Sequence, residues 1–406
     1  MDLLGRAASL DADDPLARFR DRFVPNSSLV SYLDGNSLGR PLRVTVDRLA
    51  EFVTDEWGGR LIRGWDESWM DAPLQVGDTL GRVLLGAAPG QIAIGDSTSV
   101  LLYKLIRAAV AARPGRTELV CDSDNFPTDR FVLQGVAAEC GLRITWIPVD
   151  PAAGVTVDQV RSVVSEDTAL VLFSHVAYRS GWLADAPAIT SAAHAVGALV
   201  LWDLCHSVGS VPVSLDAWEV DLAVGCTYKY LNGGPGSPAF AYVRSPLQDT
   251  LTQPIWGWIG AQDPFEMGET YAPATGIRRF LSGTPSILAL QPIIDMVSLI
   301  DEVGMPALRA KSVLLTEFAV EAAKELLPDV QIASPRAAAQ RGSHITLAHP
   351  RFADVYNGLW DRDVIPDFRR PDNLRIGLSP LSTSFTELAR GLVAVAEELR
   401  VVGGAD

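Results

Sequence analysis

The chain has 406 residues, 48% hydrophobic and 20% charged, a balance that suits an ordered globular protein with room for two or more packing units and excludes one dominated by disorder. Its 49 acidic and 34 basic residues give a formal net charge of −15, which disfavours nonspecific binding to nucleic acid or anionic membranes while allowing a local basic pocket for a small anion. Cys121, Cys140, Cys205 and Cys226 form neither a CxxC pair nor a disulfide framework, and no two histidines have metal spacing. Free thiols, no metal and a cytoplasmic location are therefore expected, with neither a basic leader ahead of Asp11, Asp13 and Asp14 nor an apolar run long enough to span a membrane.

In chain order, an early helix leads into the loop Tyr32-Leu33-Asp34-Gly35-Asn36-Ser37-Leu38-Gly39-Arg40, which can pack on a C-terminal unit or reach a site, with Asn36 a candidate substrate contact. Gly95-Asp96-Ser97-Thr98-Ser99 then precedes a helical stretch to Ala112. Ser97 and Thr98 suit either ordinary capping or a phosphate held at a helix N-terminus. From Thr117 onward, short β-rich runs at Glu118–Cys121, Arg143–Val149, Ala169–His175, Ala198–Leu204 and Leu222–Thr227 alternate with helix-length stretches such as Pro127–Cys140 and Pro187–Val196. This rhythm predicts α/β crossovers around a largely parallel sheet, with functional polar residues clustered at the strand ends. Ala307–Leu327 reads as a long amphipathic helix, and Gly342–Ala348 as a strand opening a smaller C-terminal domain. The expected division is an N-terminal segment over 1–60, a large domain over 61–300 and a small domain over 301–406.

The strand ends carry the chemistry. Lys229 lies beyond Leu222-Ala223-Val224, between Tyr228 and Tyr230, and before a dense glycine run, where a desolvated amine becomes a nucleophile toward an aldehyde such as pyridoxal phosphate. A surface lysine beside a flexible loop is the plainer reading of that segment alone. Asp203 ends the apolar run from Ala198 and needs a cationic partner, which a protonated pyridine nitrogen supplies. Phe126 suits ring stacking or the core, Asp129 a ring contact or a helix cap, and His175 and His206 a ring contact or plain structure. Arg375, on an otherwise apolar strand, requires an anion, either a substrate carboxylate or a neighbouring Asp or Glu.

Together these segments resemble the kynureninases, a family of fold-type I pyridoxal-phosphate enzymes. Tyr32–Gly39 (YLDGNSLG), Asn125–Asp129 (NFPTD), Trp202-Asp203-Leu204 with His206, Cys226–Gly236 (CTYKYLNGGPG), Arg341–His344 and the Arg375 strand are similar to family segments in the same order. The resemblance implies an α/β fold with a mainly parallel seven-stranded sheet sandwiched by helices, plus a smaller α+β domain. It implies Lys229 as the Schiff-base lysine and Asp203 as the carboxylate at the pyridine nitrogen. Phe126 would stack on the ring, Asp129 and His206 would line it, and Ser97, Thr98 and Tyr228 would hold the phosphate. Trp258 and Thr284 would complete that site across a homodimer interface, Arg375 would hold the substrate carboxylate, and Trp65 would stand near the substrate.

The implied reaction is hydrolysis of the Cβ–Cγ bond of kynurenine or 3-hydroxykynurenine to alanine and an anthranilate, through aldimine, ketimine and gem-diol intermediates, with Tyr228 protonating the β-carbon. The cysteine desulfurases and β-eliminases share the lysine and aspartate and are the alternative. Four positions depart from the family pattern: Ala177, Ile259, Ala261 and Ser382. Smaller side chains at Ile259 and Ala261 are expected to enlarge the aryl pocket for ring-substituted kynurenines.

Overall fold

The computed structural model describes residues 2–403. Its thirteen strands are β1 (Ser31–Tyr32), β2 (Ile92–Ile94), β3 (Glu118–Asp122), β4 (Arg143–Ile147), β5 (Thr168–Ser174), β6 (Leu199–Asp203), β7 (Leu222–Gly225), β8 (Phe240–Val243), β9 (Gln331–Ile332), β10 (His344–Ala348), β11 (Val364–Ile365), β12 (Asp367–Arg369) and β13 (Asn373–Gly377). Seven of them form one sheet in the order β2-β8-β7-β6-β5-β3-β4, parallel from β7 to β4 and antiparallel where β8 joins its two neighbours. The apolar runs are continuous because both faces are covered. Val120, Val171, Val200 and Trp202 face one core, while the alternating Leu119, Leu170, Leu172, Leu199 and Leu201 face another. The inner strands match the sequence expectation within a few residues.

The register Ser174↔Asp203 and Asp203↔Val224 brings the carboxyl ends of β5, β6 and β7 level, the edge at which open α/β sheets bind ligands. Helix Thr98–Ala111 begins at the same edge with Ser97 as N-cap, and helix Pro127–Cys140 begins with proline in its first turn and closes on left-handed Gly141. A second core lies around the antiparallel sheet β12-β13-β10-β9 and helices Met305–Leu326 and Phe385–Gly403. The N-terminal segment joins this core: β1 pairs in parallel with β11, and Leu3, Ala7 and Leu33 pack there.

The region between residues 52 and 85 contains wide π-type turns at Phe52–Trp57, Trp65–Trp69 and Gly81–Leu85 that apolar periodicity did not reveal. The short edge strand β2 and its neighbour β8 also escaped the sequence reading. They are a few residues long and take their pairing from the sheet.

Candidate active site

Lys229 sits in the turn that follows β7. Asn232 N–H donates to the Lys229 carbonyl at 3.0 Å, Gly233 N–H donates to the Thr227 carbonyl at 2.8 Å, and Asn232 takes a left-handed φ of 52°. The loop from residue 32 to 40 presses on this turn: Gly39 N–H donates to the Tyr228 carbonyl at 2.9 Å, and a Cβ on Gly39 would lie 2.4 Å from the Lys229 carbonyl oxygen. Only glycine allows that approach. Lys229 Nζ is 8% exposed with its residue and lies 3.2 Å from His206 Nε2, 5.7 Å from the Phe126 ring centre and 5.9 Å from that of Tyr228.

Beside the lysine stand two buried carboxyls. Asp203 Oδ1 accepts from Cys205 N–H at 2.6 Å, while Asp129 Oδ2 has no hydrogen-bond partner. Burial and then the facing Asp203 carboxylate push the Asp129 carboxyl well above the usual range. Burial, followed by the charges of Lys229 and Arg375, holds His206 well below the usual imidazole range, so it is neutral at pH 7. Burial also raises the Tyr228 phenol. Opposed carboxyls with an orphan oxygen, next to a buried amine, make a receptor for a cationic ring nitrogen. Thr98 Oγ1 lies 3.9 Å from Cys205 Sγ, which puts the start of helix Thr98–Ala111 at the same strand ends.

Arg375 on β13 finds its anion within the chain. Asp367, its register partner on β12, accepts from both Nε and Nη2, while Nη1 donates to the Tyr178 carbonyl at 2.7 Å and Nη2 also to Ser37 Oγ at 3.1 Å. Asp367 and Ser37 were not read as site residues, since a cross-strand pair is visible only once the register is known. The charge of Arg375 nevertheless reaches His206 and His344. Asn36 is fully buried with neither amide atom partnered, and its Oδ1 occupies the space over Gly377. Burial lifts the nearby Asp34 carboxyl to about 6.

The remaining expected site residues lie together in a separate group. Trp65 packs edge-on against Trp69 at 5.4 Å and against Trp258 at 6.3 Å, and Trp258 meets Phe265 at 6.0 Å. Thr284 is exposed on the strap after Phe280, to which the Trp258 turn is pinned by Ile259 N–H donating to the Ser282 carbonyl at 3.2 Å. Ile259, expected beside an aryl pocket, has its side chain wholly buried in the core with Ile277, Phe280 and Leu281. Ala261 bridges to Pro273 on the half-exposed side, Ala177 borders a small polar cavity with Asp122 and Tyr178, and Ser382 is buried in the turn after Ser379. The four departures thus do not share one pocket wall.

Residues 308–395 match the family description "Kynureninase C-terminal domain". The chain is 40% identical to a kynureninase of Deinococcus radiodurans over 98% of this chain and 97% of that one. It is 38% identical to a kynureninase of Pseudomonas fluorescens over 94% and 91% of the two chains. Among solved structures, a cysteine desulfurase from Thermococcus onnurineus superposes with a TM-score of 0.82 at 18% identity, covering 96% of this chain and 98% of that one. The C-DES K223A mutant with glycine linked to its PLP cofactor gives 0.82 at 16% identity, covering 93% and 99%. These structures show the shared fold.

Proposed function

The chain belongs to the kynureninase family, and from that premise we propose that it binds pyridoxal phosphate and cleaves the Cβ–Cγ bond of a kynurenine, releasing L-alanine and an anthranilate. The observation that carries this reading is the buried Lys229 amine facing neutral His206 beside the opposed carboxyls of Asp129 and Asp203. When bound, the cofactor supplies an aldehyde that condenses with amines and a protonated ring that accepts electrons from Cα.

Lys229 would hold that aldehyde, and its Nζ as a free amine would take the proton from Cα of the substrate. Asp203, backed by Asp129, would keep a proton on the ring nitrogen, and Phe126 would stack on the ring. His206, being uncharged, orients Nζ without competing for its proton. Ser97 and Thr98 at the helix N-terminus, with Tyr228, would hold the phosphate. The raised Tyr228 phenol stays protonated at neutral pH, as an acid for the β-carbon must. Arg375, held in place by Asp367, Ser37 and the Tyr178 carbonyl, is the cation toward which the substrate carboxylate would be drawn, near Asn36.

Trp65, Trp258, Thr284 and Ala261 serve the site of a second copy in a homodimer, a reading supported by their place on an exposed apolar rim. The acidic surface and four free cysteines support a cytoplasmic setting; among the described residues no helix is long and apolar enough to cross a membrane. The desulfurase alternative needs a thiol on a mobile segment, whereas Cys121, Cys205 and Cys226 are buried at strand ends and the half-buried Cys140 ends helix Pro127–Cys140. The small side chains at Ala177 and Ala261 support acceptance of ring-substituted kynurenines; Ile259 adds nothing to it.

Mass spectrometry of purified protein given kynurenine, 3-hydroxykynurenine and ring-alkylated analogues tests both levels. Alanine and an aryl acid are expected, with none from Lys229→Ala. Sulfide or persulfide from cysteine without cleavage of any kynurenine would overturn the reaction, and a kcat/KM favouring unsubstituted kynurenine would overturn the ring-substituted preference alone.

A further inference from the structure

Lys104 lies in the middle of helix Thr98–Ala111 with no exposed surface. Its Nζ donates to Asp96 Oδ2 at 2.6 Å and to the Phe280 carbonyl at 3.0 Å. A buried ammonium is costly, and an apolar side chain of similar length would fill the space at less expense, so a structural filler does not explain it. What the ammonium joins is informative. Asp96 takes a left-handed φ of 52°, is clamped by Ala239 N–H donating to its carbonyl at 3.0 Å, and leads directly into Ser97 and Thr98. Phe280 leads into the strap of Ser282, Gly283 and Thr284. The Trp258 turn is fixed to that strap: besides the Ile259 hydrogen bond, a Cβ on Gly257 would lie 2.3 Å from the Ser282 carbonyl oxygen.

We infer that Lys104 is a positioning residue for the cofactor phosphate: its ammonium fixes the Asp96–Thr98 cup relative to the strap that carries Thr284 and, through it, Trp258. The inference rests on the proposed phosphate roles of Ser97, Thr98, Trp258 and Thr284. In a homodimer the cup holds the phosphate of its own protomer while the strap reaches the partner's. One buried cation therefore sets both contributions. Without it, Asp96 keeps an unneutralised carboxylate beside the phosphate and the Phe280 carbonyl loses its donor, so the cup loosens where it must oppose a dianion.

The test titrates apoprotein with pyridoxal phosphate and, separately, with pyridoxal, following Schiff-base absorbance. Both aldehydes need Lys229, but only the first needs a phosphate cup. Lys104→Met should raise Kd for pyridoxal phosphate by about tenfold or more and leave that for pyridoxal within about twofold. Asp96→Asn, which tolerates the left-handed backbone while removing the charge pair, should shift the same ligand in the same direction by less, and it decides the matter if Lys104→Met does not fold. Equal weakening of both ligands, or no change in either, would overturn the inference. Thr98→Ala separates it from the site assignment: loss of phosphate-dependent affinity there with none in Lys104→Met rejects Lys104 alone, whereas no loss in Thr98→Ala or Ser97→Ala rejects the phosphate cup itself.

Discussion

The strand-end site and the aromatic rim are built on opposite terms. At the strand ends Asp129, Asp203, His206 and Lys229 are all buried, fixed by a parallel register and by the loop over Gly39. The rim leaves Trp57, Leu61, Ile62, Trp256, Phe265 and Met267 exposed, with Ile62 at 77% and Met267 at 73%, and joins its two segments through the Trp65–Trp258 contact. Polar groups are dry where charge must be controlled, and apolar groups are wet where the chain alone provides no cover. The four polar groups of the first region are all drawn from one chain and packed within it; the second has the composition of a surface that another chain covers.

The largest effect expected from breaking this contrast is at the dry end. Asp203→Asn keeps the side-chain volume but removes the carboxylate that would hold the ring-nitrogen proton. A loss in kcat of roughly 10²- to 10³-fold is expected, with cofactor absorbance retained. If Asp129, with its orphan oxygen, takes over the role, the loss shrinks and then appears in full in Asp203→Asn combined with Asp129→Asn. Undiminished kcat in the double variant would remove both carboxyls from the chemistry.

A smaller effect is expected at the rim. Ile62→Glu puts a charge into the exposed patch without touching the strand ends, so light scattering should show a shift from dimer to monomer. If Trp258 and Thr284 act across the proposed homodimer, pyridoxal-phosphate affinity should fall with it by about tenfold. A monomeric wild-type protein, or an Ile62→Glu dimer with unchanged affinity, would show that the rim serves its own chain.

The same contrast explains what the sequence made legible. Lys229, Asp203 and the strand ends could be found because buried parallel strands are continuous apolar runs, and a polar residue that interrupts one stands out. The Ser97 helix start was equally visible as an N-cap, although capping and phosphate binding use the same residue types. Asp367 was not legible as the partner of Arg375, because their pairing depends on the antiparallel register of β12 and β13. Lys104 looked like an ordinary helix residue, since its two acceptors come from eight residues before it and 176 after it. The inward direction of Ile259 was not legible either, because it is set by the strap beneath the turn, which local sequence does not encode.

The smallest predicted effect concerns how the strand ends stay uncharged. His175 follows β5 with Nδ1 unpartnered, its ring edge-on to Trp218 at 5.3 Å and Trp202 at 6.1 Å, and burial alone pulls its pKa down to about 3. An unfolded chain protonates the same ring near 6.5, so below that pH the unfolded state holds a proton that the folded state refuses. The stability that depends on neutral His175 is thus complete above about pH 6.5 and falls, by roughly 1.4 kcal/mol per pH unit, as pH drops toward the folded value. Burial raises Asp34 to about 6 and Asp122 to about 7, and their contributions run the other way, present in acid and lost as pH rises through those values. The wild-type curve alone therefore mixes both signs. His175→Phe isolates one: urea unfolding of the two apoproteins should show the variant gaining on wild type by roughly 1 kcal/mol between pH 7.5 and 5.5, since phenylalanine cannot take up the proton in either state. A gap that stays constant across this range would mean that His175 takes up its proton in the folded protein as readily as in the unfolded chain, and that the strand ends are wetter than their packing against Trp202 and Trp218 implies.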